Sequence, residues 1–437
     1  MLFLVVSSIC LVKLAAALNN GVGRLPKMGY DTWNAFACNY DQEKVLSQAE
    51  AMVKHGLVEA GYNSIILDDC FTLRNRSTDG KLIEDPKKWP NGLKSFTSEI
   101  KKFGISASAY SDAGYRTCAG YPGSYGHEEQ DLQTWTEWGF DYLKYDNCYI
   151  PFDNVTDENI YGRYQRMSDA IASHASQTQS EPFWLSLCEW GWQQPWLWGK
   201  QLGHSWRING DIEPWWSAIA SIINQASFLS WGSGYYGHND MDMLEIGNTG
   251  QGTPVGNLTY DEAKSHFTAW ALLKSPLIIG TDLTNATRET IEILGNRDLI
   301  RINQDPNIGE AVSPFRWGIN PDYVSNATHP AQYWTGNSSY GVLFMVLNPF
   351  DQPANMFFNL TESWAIRAGR IYHVYDMWSH TNNGTALRNI SLTLPAHGVA
   401  ALLLNDAGPE PELTGTGLPY CAIYWQCSWP NGTYFSN

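Results

Sequence analysis

Along the first 305 residues of this 437-residue chain, short apolar runs ending in polar or charged residues alternate with longer stretches of helical spacing. The runs read MGYDTW, SIILDDC, ISASAYSD, DYLKYDNC, FWLSLCEW, HSWRING, YYGHNDMD and PLIIGTDL. Between them the spacing predicts helices over residues 41–60, with Val45, Ala49, Met52 and Val53 roughly on one face, and over residues 159–175. Eight strand–helix alternations predict a (β/α)8 TIM barrel over residues 18–305. A doubly wound open sheet is the rival, but the Gly-rich phosphate turn usual after its first strand is missing. From about Gly309 the texture changes to short alternating strands such as GVLFMVLN and NISLTLPAHGVAALLL, with turn residues between. Residues 306–404 therefore read as a C-terminal antiparallel β domain, a sandwich. Residues 405–437 read as a Pro/Gly/Glu/Thr linker and an aromatic tail, which either packs on the β domain or contacts sugar.

The termini and the cysteines place the chain. The apolar stretch from Leu2 to Val12 is too short to span a bilayer, and Ala15-x-Ala17 fits a cleavage site, so residues 1–17 read as a secretory signal peptide. Asn-x-Ser/Thr sequons at Asn75, Asn154, Asn257, Asn285, Asn326, Asn337, Asn359, Asn383, Asn389 and Asn431 independently suit a secreted, extracellular glycoprotein. Cys10 lies in the signal; the seven others are Cys38, Cys70, Cys118, Cys148, Cys188, Cys421 and Cys427, an odd count that leaves one thiol unpaired. Cys421 and Cys427 could close a small loop in the tail. No CxxC or clustered His/Cys pattern occurs, so neither a metal nor a cofactor is expected. The net charge of −16 argues against nucleic acid or an anionic membrane as partner. Core packing explains most of the 20 Trp and 23 Tyr; the excess suits sugar, whose C–H face packs on aromatic rings.

Chemistry gathers at the run ends. Side chains alternate along a strand, so Lys144 and Asp146 point the same way, and C-terminal strand ends of an α/β barrel face its active site. The same rim receives Asp68 and Asp69, Glu189 and Trp192, Arg207 and Asp211, and Asp240 and Asp242. Such a set of donors and acceptors fits a neutral polyhydroxylated ligand. Two of the acids suit glycosidic chemistry. A nucleophile beside Lys144 stays ionised, and a second acid whose pKa is raised by the first can protonate the leaving oxygen. A retaining pair stands about 5–5.5 Å apart and an inverting pair wider.

GYDTWNAF, ILDDC, AYSDAGYRTCAGYPGSYGHEEQD, YLKYDNC, SLCEWG, SWRINGDI, NDMDMLEIGN and KSPLIIGTDL together resemble the retaining α-galactosidases of glycoside hydrolase family 27, the secreted fungal melibiases above all. The resemblance runs from about Gly21 to Leu404. It implies Asp146 as nucleophile and Asp211 as acid/base. It implies Trp33 against the apolar side of the sugar, and Asp68, Asp69, Lys144 and Arg207 on the hydroxyls. Tyr110 and Asp242 would line the same pocket. Disulfides Cys38–Cys70 and Cys118–Cys148 are also implied. Glu189 and Trp192 stand where relatives that accept N-acetylgalactosamine carry small residues, which favours galactose. Met241 departs from the family's usual proline, and Cys188 is expected to be a buried free thiol. The implied activity is exo-hydrolysis of terminal α-D-galactosyl residues from melibiose- or raffinose-type oligosaccharides or galactomannan side chains. The rivals are β-L-arabinopyranosidase or α-N-acetylgalactosaminidase activity, or an inactive galactose-binding lectin.

Overall fold

The computed structural model describes residues 18–151, 159–248, 256–318 and 328–411. The signal peptide reading, the Cys421–Cys427 loop and the sequons at Asn154, Asn326 and Asn431 lie outside the described residues. Eight parallel strands form the barrel: β1 (Met28–Asp31), β2 (Ser64–Ile66), β3 (Ser106–Asp112), β4 (Phe140–Asp146), β5 (Trp184–Leu187), β6 (Ser205–Arg207), β7 (His238–Asp240) and β8 (Leu277–Ile279). Each predicted run contains one of them. They pair in the order β7-β6-β5-β4-β3-β2-β1-β8. The ring closes just past β7. Asp242 takes a left-handed φ of 77°, and Leu244 then pairs with Ile279, with Leu244 N donating to Ile278 O at 2.7 Å.

The longer helices are α1 (Gln42–Lys54), α2 (Leu93–Ile100), α3 (Glu128–Trp138), α4 (Ile160–Thr178), α5 (Trp216–Ser227), α6 (Tyr260–Leu272), α7 (Arg288–Leu294) and α8 (Arg297–Asn303). Asp41 caps α1 by accepting from Lys44 N at 3.0 Å, and Asn159 caps α4 by accepting from Gly162 N at 3.0 Å. The predicted helix over 41–60 is broken. Gly56, at φ 69°, turns the chain left-handed, and a short helix follows at Leu57–Ala60. Val45, Ala49 and Met52 are buried as the spacing predicts, but Val53 faces outward. Between β5 and β6 the described residues form 3-10 turns at Pro195–Leu197 and Gly199–Gln201 instead of the predicted α-helix. Left-handed φ values at Trp190, Gly191, Gln193 and Gln194, and then a proline, explain that.

The C-terminal sandwich contains β9 (Ser313–Arg316), β10 (Tyr333–Ser338), β11 (Gly341–Leu347), β12 (Ala354–Asn359), β13 (Arg370–Asp376), β14 (Thr381–Leu387), β15 (Asn389–Leu394) and β16 (Val399–Pro409). They are antiparallel in the order β12-β15-β14-β13-β16-β11-β10-β9. One residue pair, Leu387 with Asn389, joins β14 to β15, so the sheet folds over there. Tyr333, Phe344, Met356, Phe358 and Leu402 fill the space between the layers. The alternate residues Leu343, Met345, Leu347, Ala401 and Leu403 belong instead to the barrel's core. Both faces of β11 and β16 are thus covered, which is why these strands read as continuous apolar runs. Helix α6 lies beneath them, buried from Ala263 to Leu272 apart from Lys264. Trp378 Nε1 donates to Thr268 Oγ1 (3.0 Å) and Ser265 Oγ to His397 O (2.5 Å) across this junction.

Candidate active site

The C-terminal strand ends hold a connected set of charges around two cations. On β4, Lys144 and Asp146 share a face. Lys144 Nζ bonds Asp68 Oδ2 at 2.6 Å and lies 3.4 Å from Asp31 Oδ2, while Tyr110 OH donates to Asp146 Oδ2 at 2.8 Å. Asp146 Oδ1 accepts from its neighbour Asn147 N at 2.9 Å. On β6, Arg207 lies 2.8 Å from Asp242 Oδ2 and 3.0 Å from Asp211 Oδ1. Asp242 Oδ2 also accepts from Ile212 N at 2.8 Å, which fixes the loop that carries Asp211. Arg207 is buried, whereas the Asp211 side chain is 76% exposed at the rim. A small cavity on the barrel axis joins the two halves. Asp31, Tyr142, Lys144, Ser186, Cys188, Arg207, Asp240 and Asp242 are among the residues that line it.

The charge states reverse the expectation from sequence. Burial pushes the Asp146 carboxyl up to about 6, against the pull of Lys144 and the Tyr110 hydrogen bond. Desolvation also pushes Asp211 up, but the Arg207 charge and hydrogen bond outweigh it and hold that carboxyl below the usual range. Burial thus favours the protonated form of Asp146, and Arg207 favours the ionised form of Asp211. Lys144 pulls the Asp146 carboxyl down but desolvation outweighs it, and the ammonium itself is engaged by Asp68 and Asp31. Those two carboxylates overcome burial and hold it well above its usual pKa.

Two disulfides, Cys38–Cys70 and Cys118–Cys148, brace the rim. Asp69 serves the second of these loops. Thr117 Oγ1 and Ala119 N donate to it at 2.8 and 2.7 Å, on either side of Cys118, and burial raises its carboxyl to about 6. Asp112, at the end of β3, completes the brace by accepting from Gly114 N and Cys148 N, both at 2.8 Å. Gly114 is required here, since a Cβ would collide with the carbonyls of Cys148 and Tyr149. Cys188 is buried and free, within 3.6 Å of Arg207 Nη1.

The remaining sequence candidates are dispersed. Trp33 sits half-buried on the turn after β1, its N–H donating to Asp31 Oδ1 at 2.9 Å. Glu189 is wholly buried, and neither carboxylate oxygen has a hydrogen-bond partner among the described residues. Burial pushes its carboxyl well up, against its own backbone N–H first and the Arg207 charge second. Trp192 is 65% exposed and stands at the rim, outside the cavity lining. Asn75, Asn257, Asn285, Asn337, Asn383 and Asn389 are exposed, and Asn359 is half-buried. Sequence reasoning missed Asp31 and Asp112, although each is the last residue of its strand and so carried the same positional signal as Asp146. It also missed Glu245. This buried acid accepts from Asn248 Nδ2 at 2.6 Å and from the side chain of Asn34, the neighbour of Trp33.

Comparison with known proteins bears on the family and the fold. A family model described as alpha galactosidase A matches residues 25–305, and one described as alpha galactosidase C-terminal beta sandwich domain matches residues 328–404. The chain is 37% identical over 440 residues to a probable alpha-galactosidase B of Penicillium simplicissimum, covering 92% of this chain and 98% of the relative. It superposes on alpha-galactosidase I of Mortierella vinacea with a TM-score of 0.78 at 34% identity, covering 90% of this chain and 100% of the other. An α-galactosidase of Saccharomyces cerevisiae, solved with raffinose, gives a TM-score of 0.77 at 30% identity, covering 89% and 99%.

Proposed function

This chain belongs to the α-galactosidases of glycoside hydrolase family 27, a retaining family of glycoside hydrolases, and on that premise we propose that it removes terminal non-reducing α-D-galactosyl residues from melibiose- and raffinose-type oligosaccharides and from galactomannan side chains. The observation that carries the reading is the pairing of one buried carboxylate, Asp146, with one exposed carboxylate, Asp211, around Lys144 and Arg207. Asp146 attacks the anomeric carbon while Asp211 protonates the departing oxygen. A covalent β-galactosyl ester forms. Asp211 then takes a proton from water, which hydrolyses the ester with net retention.

These steps need the proton on Asp211 and the charge on Asp146, the reverse of what burial and Arg207 favour. Sugar hydroxyls that engage Arg207 weaken its hold on Asp211, while Tyr110 keeps its hydrogen bond to Asp146. Substrate binding thereby moves the proton to the group that must donate it. Trp33 takes the apolar face of the galactose, and Asp68, Asp69, Lys144, Arg207 and Asp242 take its hydroxyls. Glu189 and Trp192 fill the loop after β5, where an acetamide would need room, so galactose is the preferred sugar.

The disulfides and exposed sequons support a secreted glycoprotein. The deciding experiment is a release assay on melibiose, raffinose, galactomannan and chromogenic α-galactoside and α-N-acetylgalactosaminide. Galactose release with retention supports the reading. Sugar binding without release would leave a lectin, and faster cleavage of the N-acetylgalactosaminide would overturn the specificity.

A further inference from the structure

Three aromatic side chains on the loops around the galactose pocket expose their rings, and the pocket gives no role to Tyr115 or Tyr149 and leaves most of the Trp192 ring uncovered. Tyr115, Tyr149 and Trp192 are 55%, 57% and 65% exposed. Each follows the C-terminal end of a barrel strand: Tyr115 after β3 (Ser106–Asp112), Tyr149 after β4 (Phe140–Asp146), Trp192 after β5 (Trp184–Leu187). These strands are neighbours, so the residues emerge from consecutive loops on the side of the barrel that holds Asp146.

The loops are held, not loose. Tyr115 N donates to Tyr149 O at 3.1 Å, and the Cys118–Cys148 disulfide crosslinks the two loops. Tyr125 props the Tyr115 ring edge-on at 4.9 Å. The backbone is strained where the aromatics stand out. Tyr149 has φ 44°, and Trp190, Gln193 and Gln194, beside Trp192, have φ 60°, 56° and 54°. Non-glycine residues avoid this region unless the surroundings impose it, and such strain gathers at ligand contacts. Strain and exposed apolar surface thus coincide on the same loops.

We propose that Tyr115, Tyr149 and Trp192 form a shelf that binds the sugar rings beyond the scissile galactose, so that oligosaccharides with rings past galactose are favoured over galactosides that carry none. The claim rests on the α-galactosidase reading above. Ring faces stacking on pyranose C–H faces suit a neutral glycan, and the chain's net charge of −16 disfavours an anionic one.

The test compares kcat/KM on raffinose, which carries two rings past galactose, with kcat/KM on α-galactosyl fluoride, which carries none. In Tyr149→Ala and Tyr115→Ala the raffinose-to-fluoride ratio should fall about three- to tenfold, the worth of one aromatic contact. Tyr149→Phe should restore the ratio, because stacking needs the ring and not the hydroxyl. Equal losses on both substrates, or an unchanged ratio in both alanine variants, would overturn the shelf while leaving the galactosidase reading standing. Failure of the wild-type protein to hydrolyse the fluoride would sink that reading, and the shelf with it.

Discussion

At the scale of single residues, the site separates two acids by their surroundings. Asp146→Asn keeps the shape of the proposed nucleophile and removes its charge. Turnover should fall by about 10⁴-fold or more while galactose binding persists, as kinetics and calorimetry would read. Asp211→Ala should lose far less on an aryl galactoside, whose leaving group needs no proton, than on raffinose; equal losses would refute the acid role. Tyr110→Phe removes a hydrogen bond that favours the ionised Asp146. The Asp146 carboxyl then rises from about 6, so the acid limb of kcat/KM should move to higher pH, with kcat/KM down about tenfold. Strand periodicity alone brought Lys144 and Asp146 to one point, so their juxtaposition was legible in the sequence. Their protonation was not. It depends on depth of burial and on Arg207 choosing Asp211 as partner, neither of which is written in residue order.

At the scale of elements, the rim is held by contacts between distant turns. The turn Trp33–Phe36 and the segment after β7 meet at Glu245, which Asn34 and Asn248 clamp from both sides; Asn248 also donates to Asn34 O at 3.2 Å. Glu245→Ala removes the buried acceptor that both side-chain amides share and should cost about 2–4 kcal/mol, seen as a lower midpoint in urea. Because Trp33 rides on this turn, KM for galactosides should rise more than kcat falls. On the sandwich, Asn359 faces Asn389 directly across β12 and β15. Two glycans would compete for that space, so mass spectrometry should find exposed Asn389 occupied and half-buried Asn359 largely bare. All eight barrel strands were legible because each run ends in charge. The break at Gly56 was obscured because helical spacing continues across it. The missing helix between β5 and β6 was obscured because its left-handed backbone falls on Trp and Gln, which carry no turn signature.

For the whole molecule, buried acids set the pH response. Asp69, Asp146 and Asp240 are each raised to about 6 by burial, and Glu245 to about 8. A carboxyl whose folded pKa exceeds its unfolded value of about 4 contributes stability below that value and loses it as pH climbs through the folded one. Asp211, Asp282 and Asp305, held low, work the other way in strong acid. Buried His204, His238 and His266, lowered by burial to about 4, 3 and 3, oppose this, because the unfolded chain takes up their protons as pH falls through about 6.5. The raised acids outnumber them, so thermal unfolding should give a higher Tm near about pH 5 than near about pH 8, and the reverse order would contradict this assignment. The net charge of −16, which shrinks on acidification, acts in the same direction.

The junction beneath β11 and β16 carries a consequence for the chemistry above it. Trp270, on the helix sealed there, donates its indole N–H to the carbonyl of Asp242 at 2.7 Å, and Asp242 grips Arg207. The sandwich therefore acts as a remote lid on the floor of the reaction chamber. Cutting it away would strip Leu343, Met345, Leu347 and Leu403 from their seat, wet the helix from behind and slacken the grip on the guanidinium. A shortened chain made of the barrel alone should expose that apolar seat and lose solubility, as light scattering would read.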